Sequence, residues 1–180
     1  MKGYVPLMPN SVPDSHRAIA EEAERIHESA LFSAQGQFEQ AKLWRLINLI
    51  IGVPAAILGA IAGGTSLAGS EWGNWPGYLA LTAAALTATL TTVNASRRMT
   101  QAQSSGNAYL QLQTQARQFL AIDLVDMPKE DARTILQNLT NSRDELNKTA
   151  DPPGRIAYWR AKRNISRGGQ RYAVDREGSQ

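Results

Sequence analysis

Two stretches of the chain are apolar almost without interruption, and the rest alternates with the period of surface helices. Leu46 to Leu67 and Gly77 to Ser96 supply 22 and 20 residues, each near the roughly 20 that a helix needs to cross the hydrocarbon of a bilayer. Pro54 does not exclude a spanning helix, because neighbouring helices and local adjustment absorb one. Between the stretches, Gly69, Ser70, Gly73, Asn74 and Pro76 write a turn. Trp72, Trp75 and Tyr78 cluster at that turn and Trp44 stands at the opposite end, as side chains with an apolar body and a polar tip do at membrane interfaces. The second stretch is diluted by Thr82, Thr87, Thr89, Thr91 and Thr92, and read alone it also suits a buried helix of a soluble domain. The flanking helices are too polar to wrap both stretches, so two spans are expected.

The flanks carry helical periodicity. Ile19, Ala23, Ile26, Ala30, Ala34, Phe38 and Ala41 share one face of a helix that Asp14 or Ser15 can cap and that can run on into the first span. Beyond the second span, Tyr109, Leu112, Ala116, Phe119 and Leu120 mark another face, with Gly106 and Asn107 as a candidate bend. Asp126 with Pro128 opens a further helix, striped by Ala132, Ile135, Leu136, Leu139 and Leu146. The run from Asp151 through Pro152 and Pro153 to Gly154 stops it. The pattern therefore predicts an all-α membrane protein, a two-helix transmembrane hairpin with N-terminal and C-terminal cytoplasmic helices. Its expected parts are a flexible N-terminus over 1–13 and a cytoplasmic helix over 14–45. The hairpin covers 46–96, with spans 46–67 and 77–96 and an outside turn 68–76. Cytoplasmic helices follow over 97–150, and a basic amphipathic helix and tail over 151–180.

Charge fixes the expected orientation. After Lys42 and Arg45 no charged residue occurs until Glu71, and none again until Arg97 and Arg98. Basic residues favour the cytoplasmic side, so both termini are placed there and the turn outside. The polar, acidic residues before Trp44 do not resemble a cleavable signal. The net charge is only +3, but from Arg155 onward seven basic side chains face Asp175 and Glu177 alone. With Ile156, Tyr158, Trp159 and Ile165 they write a basic amphipathic helix. Arg155, Arg160, Lys162 and Arg163 are its candidate lipid contacts, with pairing to the acidic first helix and nucleic-acid or nucleotide binding as competing uses. No spacing singles out nucleic acid, which is not an expected partner.

Inside the spans two features carry function. Gly52, Ala56, Ala60 and Gly64 repeat every four residues, a small-residue stripe that lets backbones approach closely, within the hairpin or between subunits. Thr82, Thr87, Thr89, Thr91, Asn94 and Ser96 are candidate pore-lining residues, because hydroxyls and an amide can hydrate a passing ion. Threonines can equally satisfy themselves on a carbonyl one turn back. Two spans cannot enclose water, so a pore requires several copies. Asn48 and Asn94 lie near the same depth. Cysteine is absent, which excludes disulfides and thiol chemistry. His16 and His27 share no ligand spacing and read as ordinary helix-surface residues, and no catalytic set, metal site or cofactor motif emerges. No enzymatic activity is expected.

The layout, together with His27-Glu28-Ser29-Ala30 before the first span, Asn94-Ala95-Ser96-Arg97 after the second, Tyr109-Leu110-Gln111-Leu112 and Ile156-Ala157-Tyr158, resembles the bacterial SLATT domain, the two-transmembrane effector associated with SMODS nucleotidyltransferases and SLOG sensors. The resemblance covers about residues 15–166. It implies a homo-oligomeric pore-forming effector of a defence or conflict system, activated through a nucleotide-producing or nucleotide-sensing partner. The other reading open to the sequence is a membrane-anchored interaction module that recruits a partner without forming a pore.

Overall fold

A computed structural model describes residues 14–67, 73–152 and 154–166, and among these every regular element is helical. The expectations for 1–13, for the 68–72 part of the turn and for the tail from Arg167 lie outside the described residues. A 3-10 turn, Asp14–His16, leads into α1 (Arg17–Leu67), followed by α2 (Trp75–Val93) and α3 (Ala95–Gln118). A π-helical turn at Phe119–Asp123 ends α3, and α4 (Lys129–Thr149) and α5 (Arg155–Ser166) are the last of the described elements. Two compact units result: Ala41–Gln101, and Met1–Gln40 with Ala102–Gln180.

The second of these has the interior of a water-soluble helical domain. The stripe foreseen on α1 is buried at Ile19, Ala23, Ile26, Ala30 and Ala34, and it meets Leu112, Ala116, Phe119, Leu120 and Leu124 with Ala132 and Leu139 of α4. Gly106 does not bend α3, which continues through it; the missing side chain makes room for Phe38, whose ring would lie 3.0 Å from a methyl placed there. Asp126 does not cap α4 either. Pro128 occupies the cap position with extended backbone (φ −58°, ψ 144°), and its carbonyl accepts the Ala132 N–H. Pro128 cannot supply a helical N–H, so the helix starts directly after it. Tyr109 donates its hydroxyl to Asn147 at 2.8 Å, tying α3 to α4, and burial raises its pKa.

Both histidines are buried rather than on the helix surface. His16 Nε2 donates to the Met127 carbonyl at 3.1 Å. His27 lies 3.4 Å from the Gln113 amide, and its pKa falls to about 4, chiefly because burial disfavours the cation and secondarily because Arg117 repels it.

The unit Ala41–Gln101 is built from the C-terminal part of α1, from α2 and from the first turns of α3. α1 passes through Pro54 undivided. Asn74 stands at the start of α2 with Pro76 in its first turn, so α2 begins two residues before the expected Gly77. Three contacts fix the pairing of the helices: Arg98 over the Trp44 ring at 5.3 Å, Gly52 facing Leu90, and Gly59 facing Ala83. Eight and then seven residues forward along α1 match eight and then seven residues back from Arg98, as antiparallel neighbours must. The less exposed positions of α2 are Pro76, Leu79, Ala83, Leu86, Leu90 and Val93, alternating steps of three and four. On α1 the same alternation runs through Ala41, Trp44, Asn48, Ile51, Ala55, Leu58, Ala62 and Thr65. This is the spacing of a seam along which two neighbouring helices pack.

The two apolar stretches are long and apolar enough to cross a membrane, and only 11% of the residues in each apolar window are buried. A core helix of a soluble domain would show the reverse.

Candidate functional site

The outer surface of this helix pair is where the candidate residues fall. Of the small-residue stripe, Gly52 is half-buried against Leu90, where an added methyl would lie 3.4 Å from Leu90 Cδ1. Ala56, Ala60 and Gly64 are exposed, and nothing lies within 4 Å of where a Gly64 side chain would begin. The small residues buried in the seam are Ala41, Ala55, Ala62 and Ala83 instead. Spacing alone reads both rows as small faces. Only the register of α2, set by Trp44 and Arg98, decides which of them turns inward.

The hydroxyls of α2 lie outside the seam on two lines of the helix, Thr82 with Thr89 on one flank and Thr87 with Thr91 on the other. Thr82, Thr87, Thr89, Thr91, Asn94 and Ser96 are all exposed. Each of the five threonines of α2 donates its hydroxyl to the carbonyl one turn back: Thr82 to Tyr78, Thr87 to Ala83, Thr89 to Ala85, Thr91 to Thr87 and Thr92 to Ala88, at 2.8–3.0 Å. Their protons are therefore satisfied without water, which lets the face meet lipid at small cost. The hydroxyl oxygens keep their capacity to accept a hydrogen bond.

Asn94 has a further role that the apolar pattern hides. It adopts the left-handed conformation (φ 54°, ψ 44°) and closes α2, donating its N–H to the Leu90 carbonyl. Asparagine tolerates that region better than most side chains do. The carbonyl of Val93, released by the break, accepts from Arg98 Nε at 3.2 Å while the same guanidinium covers Trp44. The second apolar helix thus ends at Val93, short of the expected Ser96. Asn48 lies on the seam at the level the register assigns to Asn94.

In the other unit, α5 lies with Ala157 and Ala161 buried. Three amides of α1 hold it and the linker before it. Gln37 donates to the Asp151 carbonyl at 2.7 Å, Gln40 accepts from the Gly154 N–H, and Gln35 accepts from Asn164. These glutamines sit between the apolar positions of α1 and carry no sequence signal beyond their burial. Arg155, Arg160, Lys162 and Arg163 are exposed, with Arg163 lying 5.9 Å from the Trp159 ring. An open groove of about 330 Å³ runs between the end of α3 and α4, lined by Gln115, Gln118, Asp123, Asn138 and Ser142. Among the described residues no group of three or more His, Asp and Glu side chains is placed to hold a metal ion.

The chain matches no protein-family model, no curated protein and no solved structure.

Proposed function

We propose that α1 and α2 form a transmembrane hairpin in a bacterial inner membrane, with both termini cytoplasmic, and that copies of it assemble into a pore. In this reading the chain is a SLATT-like effector of a defence or conflict system, opened through a nucleotide-producing or nucleotide-sensing partner. The observation that carries the pore is the exposure of both hydroxyl lines of α2, Thr82 and Thr89 leading to Ser96, and Thr87 and Thr91 leading to Asn94, which its own partner helix leaves uncovered. Several copies arranged about an axis can place one of these lines on water, and its hydroxyl oxygens replace part of an ion's hydration shell. Lys42, Arg45, Arg97 and Arg98 support the orientation. No acidic or basic side chain lies within α2, so selectivity among ions is weak.

The internal hydroxyl bonds favour a second reading, a membrane anchor whose cytoplasmic helices recruit a partner and whose threonines rest in lipid. Leakage of a dye from proteoliposomes separates the two. Replacing Thr89 and Thr91 together by valine keeps the shape and removes the lone pairs, so a pore loses its conductance while insertion and oligomer size stay unchanged. Leakage equal to the parent's removes the threonines from the conducting path. A parent that never conducts, even with its activating partner supplied, establishes the anchor.

A further inference from the structure

The outward face of α5 joins exposed apolar and aromatic side chains with cationic ones. At about 100° per residue, the buried Ala157 and Ala161 and the half-buried Asn164 define one side of the helix. Trp159 stands on the opposite side with Arg155, Lys162 and Arg163 around it, and Ile156 and Tyr158 form the shoulders. Trp159 and Ile156 are each 65% exposed and Tyr158 is 57% exposed. No acidic residue occurs in α5. A solvated helix has no need of a bulky indole at its outermost point. An anionic bilayer surface suits the whole set, since tryptophan and tyrosine settle at headgroup depth and lysine and arginine pair with phosphate.

We infer that α5 is a membrane-surface helix: Trp159 and Ile156 enter the headgroup layer, and Arg155, Lys162 and Arg163 select anionic phospholipid. The occupant is lipid rather than a second copy, because a face this uniformly cationic repels its own image. This rests on the membrane-spanning reading of α1 and α2.

The test uses the full chain, whose lack of cysteine allows single labels. Ile156→Cys carries an environment-sensitive fluorophore in nanodiscs of phosphatidylcholine alone or of phosphatidylcholine and phosphatidylglycerol in equal parts. Quenching by brominated lipid is expected in the anionic discs only. It should fall at least about tenfold in high salt, or when Arg155, Lys162 and Arg163 are all replaced by glutamate. A label at Ile57→Cys reports the span and should be quenched in both discs. Quenching at position 57 with a water-exposed label at position 156 in anionic discs overturns the α5 inference alone. An unquenched label at position 57 overturns the spanning reading and the α5 inference with it. Shielding at position 156 that ignores lipid charge and appears only when two copies share a disc assigns the face to contact between copies, and also overturns it.

Discussion

The two units of this chain place large apolar side chains on opposite sides. The unit containing α4 and α5 buries Phe119, Ile26, Leu112, Leu120 and Leu124 almost completely. Among its described apolar residues the unit Ala41–Gln101 buries only alanines, and it leaves Leu46, Leu49, Ile50, Val53, Ile57, Ile61 and Leu81 about half exposed or more. In water the first arrangement gains free energy from every leucine removed from solvent, and the second forfeits it. In hydrocarbon leucine gains nothing by moving inward, and close approach of backbones takes over, for which alanine is the better residue. On the membrane-spanning reading proposed above, one polypeptide is folded by two different rules, each matched to a solvent.

The sharpest way to break this comparison is to shorten one large side chain in each unit. Phe119→Ala opens a cavity in a packed core and should cost about 3–5 kcal/mol. Leu81→Ala, at a side chain already 70% exposed, should stay within about 0.5 kcal/mol. Amide exchange of α3 and α2 in nanodiscs reads each separately. Equal costs would mean that both units fold by the same rule.

Exposed positions sharpen it next. Ile57 is 53% exposed and Ile122 67% exposed, so by accessibility alone they are interchangeable. Ile57→Lys places a charge in the middle of an apolar helix, and its apparent insertion free energy should rise by about 3–4 kcal/mol. Ile122→Lys, in the π-turn, should be neutral within about 0.5 kcal/mol. A glycosylation-based insertion assay measures the first and thermal unfolding the second. Insertion of Ile57→Lys as efficient as the parent's would show that α1 does not meet lipid there.

Acid supplies the smallest effect and touches only one unit. His27 has a pKa of about 4 in the fold against 6.5 without it, so between these values the unfolded chain binds the extra proton. Stability from this group is therefore complete above pH 6.5 and declines as the pH falls towards 4. From pH 7 to pH 5 the loss should be about 2 kcal/mol, read from denaturant midpoints followed by exchange in α3. His27→Gln should remove that slope, and the α2 amides should show none of it in either protein. A slope unchanged by the substitution would place the titrating group elsewhere.

How much of this could be read beforehand depended on the range of each signal. The apolar stretches and the stripes Ile19 to Ala34 and Tyr109 to Leu120 were legible, because periodicity is a property of one helix. Facing was not. Gly52, Ala56, Ala60 and Gly64 make as regular a row as Ala55 and Ala62, and what separates them is the register with α2, a relation between helices. The histidines went unread for the same reason, since their burial depends on Met127 and Gln113, far along the chain. Pro128 in place of Asp126 reflects how weakly a cap residue specifies a helix start beside a proline. The self-satisfied threonines were legible as an alternative, since the bond they make is local. On α5 the sequence supplied the cations and the aromatics, and the fold supplied which side they occupy.

Asn94 shifts the frame of the helical text. Continuing the three-and-four rhythm of α2 beyond Val93 falls on Arg97, Thr100, Ser104, Asn107, Gln111, Thr114 and Gln118, and every one of these is polar and exposed. The rhythm that α3 keeps is Ala95, Met99, Ala102, Gly106, Tyr109, Gln113 and Ala116, two residues out of phase. A single left-handed residue performs the shift. Without it, a stripe tuned to one solvent would dictate the stripe tuned to the other. With it, insertions or drift on one side of the break leave the spelling of the other untouched.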